Sequence, residues 1–190
     1  MKKRIFNIES LSEKEYEKYF LMMKPEKQAK INRFRFEEDK KRSVSGEMLA
    51  RKMISEETGE PEESIIFSLR ENKKPYAQGL DINFNISHSG KYVICAVSGE
   101  EIGADIEKER PVSDALIKRV CNEKEKEYVC QTGTDEKEKI RRFFEIWTFK
   151  EAYFKYLGTG IEDFQKIDYF NCGKKKENGE TDGYAYCIIY

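Results

Sequence analysis

The chain has 190 residues, 38% of them apolar and 13% aromatic, with 37% charged and a mean hydropathy of -0.79. That length makes one domain, or two small halves sharing a core, and folding buries roughly 70% of the unfolded surface. The composition argues against disorder, and thirty-five basic against thirty-six acidic residues argue against a general affinity for nucleic acid or anionic lipid.

The longest apolar run, Tyr92 to Val97, is far short of the roughly 20 residues of a membrane-spanning helix. Met1-Lys2-Lys3-Arg4 has no apolar segment of the secretory kind behind it, which predicts a cytoplasmic protein. Cys95, Cys121, Cys130, Cys172 and Cys187 are odd in number and form no Cys-x-x-Cys pair, so neither a disulfide framework nor a zinc site is signalled.

Ser12 to Met23 reads as a helix, with Glu15 at capping-box spacing from Ser12. Pro25 opens a second, basic helix to about Phe36. A third runs from about Glu38 to Glu57, with Val44, Met48, Leu49 and Met53 at core spacing and Gly59 as its stop. Ile65 to Leu69, Asn83 to Ile86 and Tyr92 to Val97 are predicted strands, the last apolar on both faces and so central in its sheet. Glu101 to Glu107 is another strand. Helices over Ser113 to about Val129 and Asp135 to Leu157 follow, the latter ended by Gly158 and Gly160. Phe164 to Cys172 and Tyr184 to Tyr190 are expected to pair as a hairpin around a Lys174 to Gly183 loop. This order predicts an α+β protein of two similar α/β halves, residues 1–100 and 101–190.

In Ile102-Gly103-Ala104-Asp105-Ile106-Glu107 a period of two sends Asp105 and Glu107 to one face, about 6.5 Å apart, where both can reach one hard cation. The competing reading is an exposed edge with solvated acids. The next informative segment is the helix around Trp147, whose apolar stripe Ile140, Phe143, Phe144, Trp147 runs into Lys150, Glu151, Phe154 and Lys155. Charges on a core face need partners or a ligand, unless the stripe simply surfaces and the lysines snorkel. The single histidine, His88, lies in Asn85-Ile86-Ser87-His88-Ser89-Gly90, read as a turn able to bind phosphate or as a plain capped hairpin turn. Between Lys24 and Arg42 lie eight basic residues against four acidic ones, and between Glu100 and Arg110 five acidic against two basic. A phosphate-rich ligand held between a basic wall and a metal would suit this pattern, and so would solvated helix faces.

Three segments, Asn85-Ile86-Ser87-His88-Ser89, Gly103-Ala104-Asp105-Ile106-Glu107 and Trp147-Thr148-Phe149-Lys150-Glu151-Ala152-Tyr153-Phe154-Lys155, resemble in order and separation those of the 4'-phosphopantetheinyl transferases of the surfactin type. Weaker similarity from Pro25 through Arg42 extends the resemblance over about residues 24 to 165. It implies a pseudo-twofold fold in one chain, with the site at the junction of the halves. The activity it implies is magnesium-dependent transfer of the 4'-phosphopantetheine arm of coenzyme A to a serine of an acyl or peptidyl carrier protein, releasing 3',5'-ADP. By the same resemblance Asp105, Glu107 and Glu151 hold the magnesium ion, and Lys155 neutralises the pyrophosphate. His88 contacts phosphate, while Lys27, Lys30 and Arg42, with the Ser43 hydroxyl beside them, wall the 3'-phosphate. Lys74 and Ser87 lie near the adenine.

Glu151, a metal-bound water or Glu125 could take the serine proton. A monomer is expected, with no nucleic-acid or membrane partner. The chain departs from the family in Lys73-Lys74-Pro75, where Gly-Lys-Pro is usual, in Ser43, where threonine is common, and in ending at Tyr190, short of the usual length. The competing functions are a coenzyme A binder that transfers nothing and a magnesium-dependent pyrophosphate hydrolase.

Overall fold

A computed structural model describes residues 1–160 and 163–190 and divides into two compact units, Met1–Glu101 and Ile102–Tyr190. In the first, β1 (Lys2–Asn7), β5 (Tyr92–Ser98) and β4 (Asn83–Ser89) form an antiparallel sheet in the order β1-β5-β4. The all-apolar β5 is central, as its pattern predicts. Strand β1 was not foreseen, because its basic residues fit an edge position rather than a buried one.

Helix α1 (Glu13–Leu21) starts at a complete Ser12/Glu15 capping box, and α2 (Pro25–Asn32) has its proline in the first turn but stops short of Phe36. Helix α3 (Glu37–Thr58) ends where Gly59 turns left-handed at φ 79°. Its Val44, Met48, Ala50, Met53 and Ile54 are buried against Phe84, Val93, Cys95 and Val97 of the sheet. A short ribbon, β2 (Phe67–Leu69) with β3 (Pro75–Ala77), lies between α3 and β4 in the chain. Lys73 in its turn takes φ 64°, so the lysine adopts the left-handed conformation that a glycine takes more easily.

The second unit is built on β6 (Gly103–Lys108), β8 (Tyr184–Ile189) and β7 (Lys176–Thr181), antiparallel in the order β6-β8-β7. The expected hairpin therefore keeps its Tyr184 arm and takes Lys176–Thr181, not Phe164 to Cys172, as the other. Asp182 and Gly183, at φ 47° and 75°, make the two-residue turn, and the polar segment before them is the edge strand. Phe164 to Cys172 is instead a 3-10 turn (Phe164–Lys166) followed by irregular chain, with Phe164, Ile167 and Tyr169 buried. The single helix expected over 113–129 is two, α4 (Asp114–Val120) and α5 (Glu123–Val129), because Asn122 and Glu125 close a second capping box.

Helix α6 (Glu136–Leu157) packs on the face of the sheet that carries Ala185, Cys187 and Ile189. It approaches β6 at Gly103, where a Cβ would lie 2.0 Å from the Ala152 carbonyl oxygen and 2.5 Å from the Tyr156 nitrogen. Both obstacles are backbone, so neither can swing away.

Gly103→Ala is therefore expected to force the strand and helix apart and to destabilise the protein by about 1–3 kcal/mol or more. A Tm within 1 °C of the parent would show that the contact is not tight.

Candidate active site

Gly103, Asp105 and Glu107 share one face of β6 by strand alternation, and the glycine places that face against α6. Glu151 and Lys155, one helical turn apart, complete the cluster. Asp105 is only 3% exposed, and its Oδ1 accepts a hydrogen bond of 2.6 Å from Lys155 Nζ. Glu107 is half-buried, with Arg110 Nη1 3.8 Å from its Oε2. Burial, and then the negative charge of Asp105, push the Glu151 carboxyl up to about 7; Lys155 opposes the shift, and Glu107 adds to it. Three carboxylates and one ammonium thus share a partly dry site.

Oxygen donors of this kind suit a hard divalent cation, which would offset both the burial that chiefly raises the Glu151 carboxyl and the Asp105 and Glu107 charges that add to it. Among the described residues no three such groups converge closely enough to hold a metal ion as they stand, and the Lys155 ammonium sits on Asp105.

The basic segment of the first unit is only partly gathered. A cavity of about 710 Å³ is lined by Lys24, Lys27, Lys30 and Ser43 together with apolar side chains including Phe34, Ile66 and Phe67. Among the described residues Arg42, Lys74, Ser87 and His88 do not line it. Arg42 donates to the Gly90 carbonyl at 2.6 Å and pairs with Asp39. Lys74 is buried with its Nζ 2.5 Å from Glu101 Oε1, and burial holds its ammonium below the usual lysine range despite that partner. Ser87 is buried and His88 exposed on β4. The segment expected to be a turn is thus a ladder strand, paired Ser87 to Ile94 and His88 to Val93, and the turn begins only at Gly90.

Two buried pairs escaped the sequence reading. Lys150 and Glu125 are both fully buried, 2.5 Å apart, and Lys150 also donates to the Val120 and Phe164 carbonyls at 2.8 Å. Glu125 accepts from the Asn122 and Tyr169 backbone N–H groups. It is an anchor sealed from solvent, which removes it as the acceptor of a substrate proton. At the floor of the first-unit cavity, Arg51 pairs with Glu47 at 2.7 Å and donates to the Glu62, Ile65 and Met22 carbonyls. Lys27 Nζ reaches Glu47 Oε2 at 2.6 Å. The available signal was charge at i and i+4 on the apolar stripe of α3.

A family model described as "4'-phosphopantetheinyl transferase, N-terminal" matches residues 10–100, and one for the 4'-phosphopantetheinyl transferase superfamily matches residues 101–186. The 4'-phosphopantetheinyl transferase Sfp of Bacillus subtilis (strain 168) is 38% identical over 80% of this chain and 67% of its own length. A second Bacillus subtilis 4'-phosphopantetheinyl transferase is 32% identical over 94% of this chain and 80% of its own. The 4'-phosphopantetheinyl transferase gsp of Aneurinibacillus migulanus is 36% identical over 72% of this chain and 56% of its own.

Two outcomes test the geometry. Because Glu151 holds its proton more tightly folded than unfolded, its ionisation removes stability as pH rises from about 4.5 to 7. In metal-free buffer Glu151→Gln should gain in Tm relative to the parent between pH 5 and 8, and a constant difference would refute the coupling. Lys150→Met, which strands the buried Glu125, should cost about 3–5 kcal/mol in denaturant unfolding; a loss under 1 kcal/mol would return Lys150 to the surface chemistry.

Proposed function

Because this chain belongs to the 4'-phosphopantetheinyl transferase superfamily, we propose that it transfers the phosphopantetheine arm of coenzyme A to a serine of an acyl or peptidyl carrier protein, releasing 3',5'-ADP. It acts as a cytoplasmic monomer, and its two units are the two similar halves of the family fold. Each unit sets one 22-residue helix on a three-stranded antiparallel sheet, which supports that reading. The observation that carries the function is the cluster of Asp105, Glu107, Glu151 and Lys155 on the facing surfaces of β6 and α6.

Asp105, Glu107 and Glu151 would hold the magnesium ion, whose chemistry when bound is to neutralise and orient the pyrophosphate. Lys155 is placed to follow the charge that develops on the leaving phosphate, its ammonium being already fixed at the site by Asp105. Lys27, Lys30 and Ser43 offer two ammonium groups and a hydroxyl to the 3'-phosphate, and the apolar wall of their cavity suits a flat base. Arg42, Lys74, Ser87 and His88 belong to the same reading as supports or contacts of the nucleotide. Such transfer depends on positioning and charge neutralisation more than on covalent help from the protein.

A pure coenzyme A binder gains nothing from three carboxylates beside a phosphate ligand. That contrast makes the reading directly testable. The intact mass of an apo carrier protein, incubated with this protein, coenzyme A and magnesium, should rise by one phosphopantetheine unit and should not rise when chelator is added. Asp105→Ala should slow the transfer by about 10²-fold or more while the fold persists. No mass gain across several carrier types, with coenzyme A still bound, would overturn the transferase in favour of the binder.

A further inference from the structure

Glu47 is an unusual residue to find under a phosphate site. It is 3% exposed, on α3 at the floor of the first-unit cavity, and its carboxylate is divided between two cations. Oε1 accepts from Arg51 Nε and Nη2 at 2.9 and 2.7 Å, and Oε2 accepts from Lys27 Nζ at 2.6 Å. Arg51 is itself held on several sides, since its remaining bonds go to the Met22, Glu62 and Ile65 carbonyls and its guanidinium lies 5.1 Å from the centre of the Phe67 ring. Lys27 differs from both in having 44% of its side chain exposed. A buried carboxylate next to a phosphate would repel it, but Arg51 already offsets this charge. The trio carries a net +1, presented through Lys27.

We propose that Glu47 is the positioning residue of the phosphate-binding cavity: locked by Arg51, it holds the Lys27 ammonium at the cavity wall so that the 3'-phosphate of coenzyme A meets it already in place. This rests on the reading of the cavity as the 3'-phosphate site. One of the three ammonium donors is spent on Glu47, leaving two for the ligand. The gain is preorganisation. A free lysine loses rotamer freedom when it binds, and the freedom lost by one such side chain corresponds to about threefold to tenfold in affinity.

The test is calorimetric binding of coenzyme A and of dephospho-coenzyme A, which lacks the 3'-phosphate, to the parent, Glu47→Gln, Lys27→Met and the double variant. Glu47→Gln should weaken coenzyme A binding about threefold to tenfold and leave dephospho-coenzyme A unchanged. It should add nothing in the Lys27→Met background, and in turnover it should raise KM for coenzyme A with kcat retained. Tighter binding by Glu47→Gln would make Glu47 a competitor of the phosphate, and an equal loss with and without Lys27 would make it a purely structural anchor; either overturns the inference alone. If Lys27→Met leaves both affinities unchanged, the cavity is not the 3'-phosphate site, and both readings fall. Should Glu47→Gln fail to fold, Glu47→Asp keeps a carboxylate for Arg51 while drawing it back from Lys27 by one methylene. The same outcomes then apply.

Discussion

The approach of β6 to α6 at Gly103 is closer than any side chain would permit, because backbone atoms of Ala152 and Tyr156 occupy the space of a Cβ. Much of the second unit depends on that contact. Strand alternation turns the two positions after the glycine on the same face, Asp105 and Glu107, toward the helix. The helical repeat then brings Glu151 and Lys155 alongside them. One absent side chain therefore sets the register in which four charged ones meet. The cost is visible in the raised Glu151 carboxyl, since burial and Asp105 both disfavour its charged form. A site that stores unfavourable charge needs a rigid frame, and the backbone contact supplies one.

Each unit also has a buried cation that serves irregular chain. Where a segment leaves the sheets and helices its carbonyls lose regular partners, and leaving them unpaired in the interior is costly. Lys150 gathers the Val120 and Phe164 carbonyls with Glu125, and Arg51 gathers those of Met22, Glu62 and Ile65 with Glu47. In each case a carboxylate neutralises the cation, and that carboxylate in turn holds something further, the Tyr169 N–H or the Lys27 ammonium. The same device closes the end of a loop in the second unit and reaches the surface of a cavity in the first.

How much of this could be read in the sequence follows from whether a feature is local. Ser12/Glu15, Gly59 and Gly158 marked helix ends because capping is settled within a few residues, and β5 announced its central place by being apolar on both faces. Strands β1 and β7 were missed because an edge strand is polar for the same reason a loop is, although Asp182-Gly183 carried the turn signal for β7. Phe164 to Cys172 misled in the opposite sense. Its apolar residues are buried, but its backbone bonds go to its own turns and to the Lys150, Glu125 and Lys176 side chains rather than to a strand ladder. The acids on β6 and the charges on α6 stood out as a candidate site because their periodicity conflicted with simple burial, although solvated edge acids and snorkelling lysines fitted the same pattern. The Gly90 carbonyl that Arg42 meets and the Glu101 carboxylate that Lys74 meets were not legible, since both lie far from them in sequence.

The segment Trp147 to Lys155 shows why a motif cannot be divided into roles by its spelling. Lys150 and Lys155 stand on one helix five residues apart, both next to apolar neighbours and both a conflict for a core face. Five residues turn a helix by about 500°, so the two side chains leave it in directions about 140° apart. Lys150 points into the interior, where three acceptors use its three donors and nothing remains for a substrate. Lys155 points to β6, donates to Asp105 and remains 31% exposed. The first holds the scaffold at the α4 to α5 joint, and the second stands beside Asp105 within reach of solvent. Solvent access and the surroundings each side chain meets separate them, and both are properties of the fold rather than of the residue.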